Sequence, residues 1–171
     1  MQIKIRRASA TDAQDIAAFS RKSFYESFAD QNTKENMEKF MLRFSMDVLA
    51  GEVSDPSNIF YLAMENDIIA GYIKLIEAKI PIPENYQKAF EICRIYVDKN
   101  RIGQGIGNKL MKQGLEIAQE LEAKIVWLGV WEHNVSALIF YKKWGFERFS
   151  KHTFMLGDDP QTDWLLKKEL I

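Results

Sequence analysis

Three glycines at alternate positions, Gly103, Gly105 and Gly107, sit inside Arg101-Ile-Gly-Gln-Gly-Ile-Gly-Asn-Lys109, a spacing suited to holding an anion. Glycine has no side chain to keep a ligand off the backbone, so the N–H groups of this loop can approach one closely. The loop lies between a segment that reads as a strand and one that reads as a helix. The first turn of that helix adds unpaired N–H donors and the positive end of its dipole. A phosphate or pyrophosphate fits such a pocket; a plain glycine-rich turn into a helix fits the same residues. Two better-known phosphate loops are excluded. G-x-G-x-x-G and the P-loop, each begun at Gly103, require glycine at 108, where the chain has Asn108. His133 and His152 lie far apart without metal-ligand spacing, so no metal is expected. Cys93, the single cysteine, falls in an apolar strand and reads as a small buried side chain, not a nucleophile.

The elements that must position this loop follow from periodicity. Ile3 and Ile5 alternate with Lys4 and Arg6 in a short first strand. Ser9 or Thr11 caps a helix carrying Ile16, Phe19, Ser23/Phe24 and Phe28. Asn32 or Thr33 opens a second helix with Met37, Phe40, Met41, Phe44 and Val48 as its apolar stripe, and Gly51 ends it. Strands over 59–65 and 68–77 join at the tight turn Asn66-Asp67. After the loop opened by Pro81-Ile-Pro83, another strand runs from Phe90 to Val97. Ile106, Leu110, Gly114, Ile117/Ala118 and Leu121 line one face of the helix behind the glycine loop, and Gly114 lets it sit close to the sheet. Ile125–Val130 is almost wholly apolar, as an interior strand covered on both faces should be. Strand, helix and strand then form a right-handed crossover with the two strands parallel. A last helix starts at Asn134 and stops at Gly145; strands over 146–151 and 164–168 follow, separated by Gly157-Asp-Asp-Pro160. The expected architecture is a single α/β domain with a mixed sheet.

Composition narrows the function classes. The 171 residues suit one domain, and 47% apolar with 27% charged residues are ordinary for a soluble globular protein. A formal net charge of −1 gives no sign of a general nucleic-acid or membrane-surface binder. The lone cysteine, an N-terminus without a signal-peptide apolar stretch and the lack of a long apolar run together predict a cytoplasmic protein.

The chain resembles the GNAT superfamily of N-acetyltransferases, which transfer acetyl from acetyl-CoA to amines. The resemblance rests on the strand Glu91-Ile-Cys-Arg-Ile-Tyr-Val97, the loop Gly103-x-Gly105-x-Gly107, and Asn134-x-x-Ala-x-x-Phe-Tyr-x-x-x-Gly-Phe146. It extends over nearly the whole chain and implies one N-acetyltransferase domain across residues 1–171, whose sheet splays to admit the thioester. One departure is Ile102, where the family usually carries Gln or Arg three residues before the glycine matching Gly105. Arg101 is one residue early, so pyrophosphate binding should rest on backbone N–H groups. A closer similarity links Trp127-Leu-Gly-Val-Trp-Glu-His-Asn134, Phe140-Tyr-Lys-Lys143, Met155-Leu-Gly-Asp158 and Gln161-Thr-Asp163 to the Pai-type spermidine/spermine acetyltransferases of Gram-positive bacteria.

That resemblance implies roles residue by residue. The backbone of Ile95 and Val97 pairs with the pantetheine arm of acetyl-CoA, and Gly103, Gln104, Gly105, Ile106, Gly107 and Asn108 take its pyrophosphate. Asn134 and Phe140 flank the pantetheine from the last helix. Tyr141 is the general acid that protonates the departing thiolate; its position also suits a core aromatic. Glu91 is the counterpart of a glutamate base, and equally a partner for Arg94 or an anchor for a cation. Glu132, Asp158, Asp159 and Glu26 are candidates to bind the distal ammonium groups of a polyamine, although exposed acids are more often solvated surface. The acceptor is a small-molecule amine, with an amino acid, an antibiotic amine or a protein N-terminus as alternatives, and a CoA-binding regulator as a different class. Many members of the family form homodimers.

Overall fold

The computed structural model describes residues 2–83 and 87–170. Its strands are β1 (Lys4–Arg7), β2 (Asn58–Glu65), β3 (Ile68–Glu77), β4 (Ala89–Val97), β5 (Ile125–Trp131), β6 (Glu147–Leu156) and β7 (Asp159–Glu169). The helices are α1 (Ala13–Phe28), α2 (Lys34–Met41), α3 (Met46–Ser54), α4 (Ile106–Glu120) and α5 (Val135–Lys143). The strands form one sheet in the order β1-β2-β3-β4-β5-β7-β6. Among the described residues only β4 and β5 run parallel. The α/β single-domain reading with a mixed sheet stands.

Side-chain alternation assigns the two faces. From β2, Ile59 and Ala63 pack with Ile106, Leu110, Met111 and Leu115 of α4. Phe60 and Leu62 pack instead with Ile16, Phe24, Met37 and Leu49 of α1–α3. Strand β3 does the same with Ile73 and Leu75 on one side and Tyr72 on the other. It is buried on both faces, which is why its sequence shows little polar alternation. Gly114 closes the α4 contact: a Cβ there would stand 2.7 Å from Ile73 Cδ1. The Asn66-Asp67 turn has φ of 49° and 63°, the left-handed pair a two-residue hairpin favours.

Two boundaries differ from expectation. The second helix is two helices, because a short 3₁₀ turn over Leu42–Phe44 intervenes and Ser45 caps a new start by accepting from the Val48 N–H. The break shifts the helical phase, so Leu49 is buried and Val48 lies 42% exposed. Gly51 does not end this helix, which continues to Ser54. The final hairpin is also longer, with Gly157-Asp158 alone as its turn and Pro160 paired with Met155 inside β7. Strand β5 pairs with β7 only from Asp163 onward. The other side of Pro160 is therefore free of a ladder that its missing N–H would break.

Candidate active site

Strands β4 and β5 pair at only three positions, Ala89 with Ile125, Phe90 with Val126 and Glu91 with Trp127. Beyond them β4 stays bonded to β3, and β5 to β7. The two central strands therefore part toward their C-terminal ends. A register shift between Lys74 and Leu75 leaves Cys93 as the extra residue of a bulge in β4, at the start of this gap. The Asp98 N–H donates to Ala70 O on the β3 side at 3.0 Å. By alternation the backbone groups of Val97 and Ile95 face the open side, where a neighbouring strand is missing.

The glycine loop stands at the mouth of this gap. Gly103 and Gly105 have φ of +86° and +80°, conformations that side chains disfavour, and a Cβ on either would meet nothing within 4 Å. Gly105 is the N-cap of α4, and the first helical bond is Lys109 N–H to Gly105 O. The N–H groups of Ile106, Gly107 and Asn108 stay unpaired and directed out of the helix end. This open cradle fits a pyrophosphate. Ile102 is 69% exposed, and Arg101 is ion-paired with Glu65 instead of reaching the loop. A Cβ on Gly107 would lie 3.5 Å from Phe140 Cε2 and 3.8 Å from Val97 Cγ2, so strand, loop and last helix converge there. Asn134 caps α5 by accepting from Ala137 N–H through Oδ1, which leaves its amide N–H₂ available. Trp144 Nε1 donates to Asn108 Oδ1 at 3.0 Å and ties α5 to the loop.

Tyr141 is buried at 7% exposure, with its ring against Phe140 and Phe146. Burial pushes its phenol well above the usual value. Among the described residues no buried side-chain oxygen or nitrogen lacks a partner. The Tyr141 hydroxyl makes no hydrogen bond to another described residue. Cys93 is half-buried and its thiol is pushed up to about 12 by burial, consistent with an inert side chain.

On the face toward α1–α3, burial raises the Glu91 carboxyl, which has no hydrogen-bond or ion-pair partner among the described residues. Arg94 binds Glu52 through two bonds of 2.7 and 3.0 Å, so Glu91 is not its partner. Lys74 reaches the same Glu52 carboxylate at 3.0 Å. Across β5, Asp163 is held 13% exposed beside His152, and burial raises its carboxyl too. Sequence reasoning assigned no role to either residue. Gln161-Thr-Asp163 was available as a signal, but only the β5–β7 register carries Asp163 to the gap.

The α1–α2 link walls this side. Phe28 packs on Trp131 with ring centroids 6.1 Å apart, and Gln161 Nε2 donates to Asn32 Oδ1 at 2.7 Å. Asp158 is ion-paired with Lys39 at 2.6 Å, whereas Asp159 accepts from Gln161 and is exposed. Glu132 has a side chain 33% exposed beside His133, and Glu26 is exposed two residues before Phe28. The structure thus brings Ile95, Val97, Phe140 and the glycine loop around one gap that opens after Glu91, with Tyr141 buried beside Phe140 on α5. Glu26, Glu132 and Asp159 lie on elements that border it, and Asp158 is already engaged.

Known proteins share this fold. PaiA N-acetyltransferase from Thermoplasma acidophilum, solved in complex with coenzyme A, aligns with a TM-score of 0.82 over 99% of this chain and 100% of its own, at 22% identity. The two chains therefore share a fold. A profile described as the Acetyltransferase (GNAT) family matches residues 21–146. An N-acetyltransferase from the pepI 3′ region of Lactobacillus delbrueckii subsp. lactis is 39% identical over 170 residues, 99% of this chain and 98% of that protein. The chain belongs to the GNAT family and is an acetyl-CoA-dependent N-acetyltransferase. A shorter match joins it to the spermine/spermidine N(1)-acetyltransferase of Bacillus subtilis, 31% identical over 55 residues, 32% of this chain and 36% of that one. No helix among the described residues is long and apolar enough to cross a membrane.

Proposed function

We propose that the enzyme acetylates a polyamine, spermidine or spermine, by direct attack of a primary amine on the thioester, with Tyr141 as general acid. The observation that carries this reading is a pair of half-buried carboxyls, Glu91 and Asp163, neither of them hydrogen-bonded to a Lys or Arg side chain among the described residues, with the His152 ring 3.7 Å from Asp163. A buried acid without a cation is costly, and an acceptor ammonium would supply the missing charge. Asp159, Glu132 and Glu26 offer exposed charges for the distal ammonium groups, whereas binding at Asp158 would first have to displace Lys39. The Bacillus relative named for spermine and spermidine supports the same acceptor.

Acetyl-CoA would lie with its pantetheine along the free backbone of Ile95 and Val97, beside Asn134 and Phe140. Its pyrophosphate would rest on the N–H groups of Gly103–Asn108. The amine then attacks the thioester carbonyl carbon, and the tetrahedral intermediate expels a thiolate. The parent thiol has a pKa near that of Cys, about 8.5, against about 10 for a phenol. A phenol is therefore protonated at neutral pH, and burial at Tyr141 strengthens that preference. Its partnerless hydroxyl is available to donate to the sulfur as charge develops there. Release of free CoA thiol with a panel of amines tests the reading. Spermidine and spermine should outpace monoamines and amino acids, and added salt should raise their KM through screening. Faster turnover of monoamines or amino acids would reject the polyamine.

A further inference from the structure

Strand β5 is interior, yet it is open at one residue. Gly129 is exposed, while Leu128 and Val130 on either side are buried. A Cβ built on Gly129 would lie 3.4 Å from Asp163 Oδ2 and 3.6 Å from His152 Nε2. Glycine weakens a strand interior and often marks a place where another group comes close to the backbone. Here it leaves room above β5, two residues past the last β4–β5 pair, in the parted section. The carboxylate and the imidazole both converge on that room, 3.7 Å apart. Glu91 faces the same imidazole from β4, and Lys74 of β3 faces Glu91. The His152 side chain is 49% exposed, so its ring touches both the chamber and solvent.

We propose that His152 is the base that takes the proton of the acceptor amine, while Asp163 holds the ammonium above Gly129. The inference rests on the amine-acceptor reading. The incoming ammonium donates a charge-assisted hydrogen bond to Asp163 Oδ2. The His152 Nε2 lone pair takes one of its protons, and the freed nitrogen lone pair forms the C–N bond at the thioester carbonyl. Collapse breaks the C–S bond. Nitrogen surrenders two protons in all; the departing thiolate is hydrogen-bonded by Tyr141 and is protonated at the expense of one of them through solvent. The other leaves through the exposed edge of His152 to solvent. A Lys-type amine has a pKa near 10.4, an imidazole as a class about 6.5 and a Glu carboxyl about 4.3. Proton transfer to an imidazole is thus roughly a hundredfold less unfavourable than to an ordinary carboxylate. Burial of Glu91 narrows that margin, while the half-exposed His152 ring also offers the proton a route to solvent.

The test uses His152→Ala and Asp163→Asn in the full chain, with whichever amine the wild type turns over best. A failure of the polyamine reading then appears in the wild-type acceptor panel and leaves this result independent. For His152→Ala we expect kcat to fall by about 10²-fold or more, with unchanged CoA affinity and loss of the acid limb of the pH profile. Added imidazole should restore part of the rate. Asp163→Asn should raise the amine KM while CoA affinity stays unchanged, because the carboxylate that holds the ammonium is lost. Turnover of His152→Ala within about threefold of wild type, with the acid limb intact, overturns the proposal. So does a loss of rate that imidazole leaves unrestored.

Discussion

Replacing Tyr141 with Phe separates its chemical role from its packing. The ring is 7% exposed and touches Phe140 and Phe146 at centroid distances of 5.5 and 5.9 Å, contacts that Phe preserves. The hydroxyl has no hydrogen-bond partner among the described residues, so its removal orphans nothing. Stability should therefore change by no more than about 0.5 kcal/mol. The catalytic cost is estimated from the acidities. On ordinary values, moving a proton from a phenol of pKa about 10 to a thiolate of about 8.5 is uphill by roughly 2 kcal/mol. Burial raises the phenol and steepens the step. In the proposed role Tyr141 then acts by hydrogen-bonding the sulfur as charge develops, and the benefit falls at the low end for general acids. We expect kcat to drop by about 10²-fold, close to 3 kcal/mol at the transition state. The raised phenol also stays protonated through the ordinary assay range, so any alkaline limb below about pH 10 should persist in Tyr141→Phe. The assay is CoA-thiol release across pH, alongside calorimetric CoA affinity and thermal melting. Turnover within about twofold of wild type, at equal CoA affinity, would refute the argument and leave thiolate departure to solvent.

Two further substitutions test the supports of the gap. Gly105→Val places a branched side chain at φ +80°, straining the backbone by about 1–2 kcal/mol and filling the open cradle; CoA affinity should fall by about tenfold or more in titration calorimetry while the variant stays folded. Unchanged affinity would remove the pyrophosphate assignment. Glu52→Gln leaves Arg94 and Lys74, with side chains 15% and 8% exposed, without their carboxylate, and should cost about 3 kcal/mol in urea unfolding. Arg94 and Lys74 hold the Glu52 carboxyl below its usual range against the opposing effect of burial. The stabilisation is therefore full above the unfolded value near 4.5 and is lost as pH falls through the folded value. The variant should lack that acid-dependent loss, and an identical pH dependence would contradict the assignment.

Local chemistry made much of the fold legible. Alternating Ile3 and Ile5, the Asn66-Asp67 turn and the apolar run 125–130 each encode their conformation within a few residues. The cradle was legible for the same reason, since positive φ at Gly103 and Gly105 is a backbone property that glycine announces. The break after Met41 was hidden, because Phe44 keeps the helical spacing and only packing against Phe24 and Phe40 reveals the 3₁₀ turn. Glu52 as the partner of Arg94 was hidden as well, because the pair joins α3 to β4 across 42 residues. His152 and Asp163 meet only through the register of the β6–β7 hairpin, and Gly129 acquires meaning only once they do. Motif spacing therefore located the glycine loop and the strands that flank the gap, while the meeting of Gly129, His152 and Asp163 depends on long-range pairing.

The central claim is acetyl transfer to a polyamine in the gap between β4 and β5. A direct competition tests it: acetyl-CoA with equal concentrations of spermidine, a monoamine of similar chain length and free lysine, with products separated and weighed by mass spectrometry. Acetylspermidine should dominate at low salt, and its excess should shrink as salt screens the acids around the acceptor. A product mixture dominated by the acetylated monoamine or acetyllysine at low salt would contradict it.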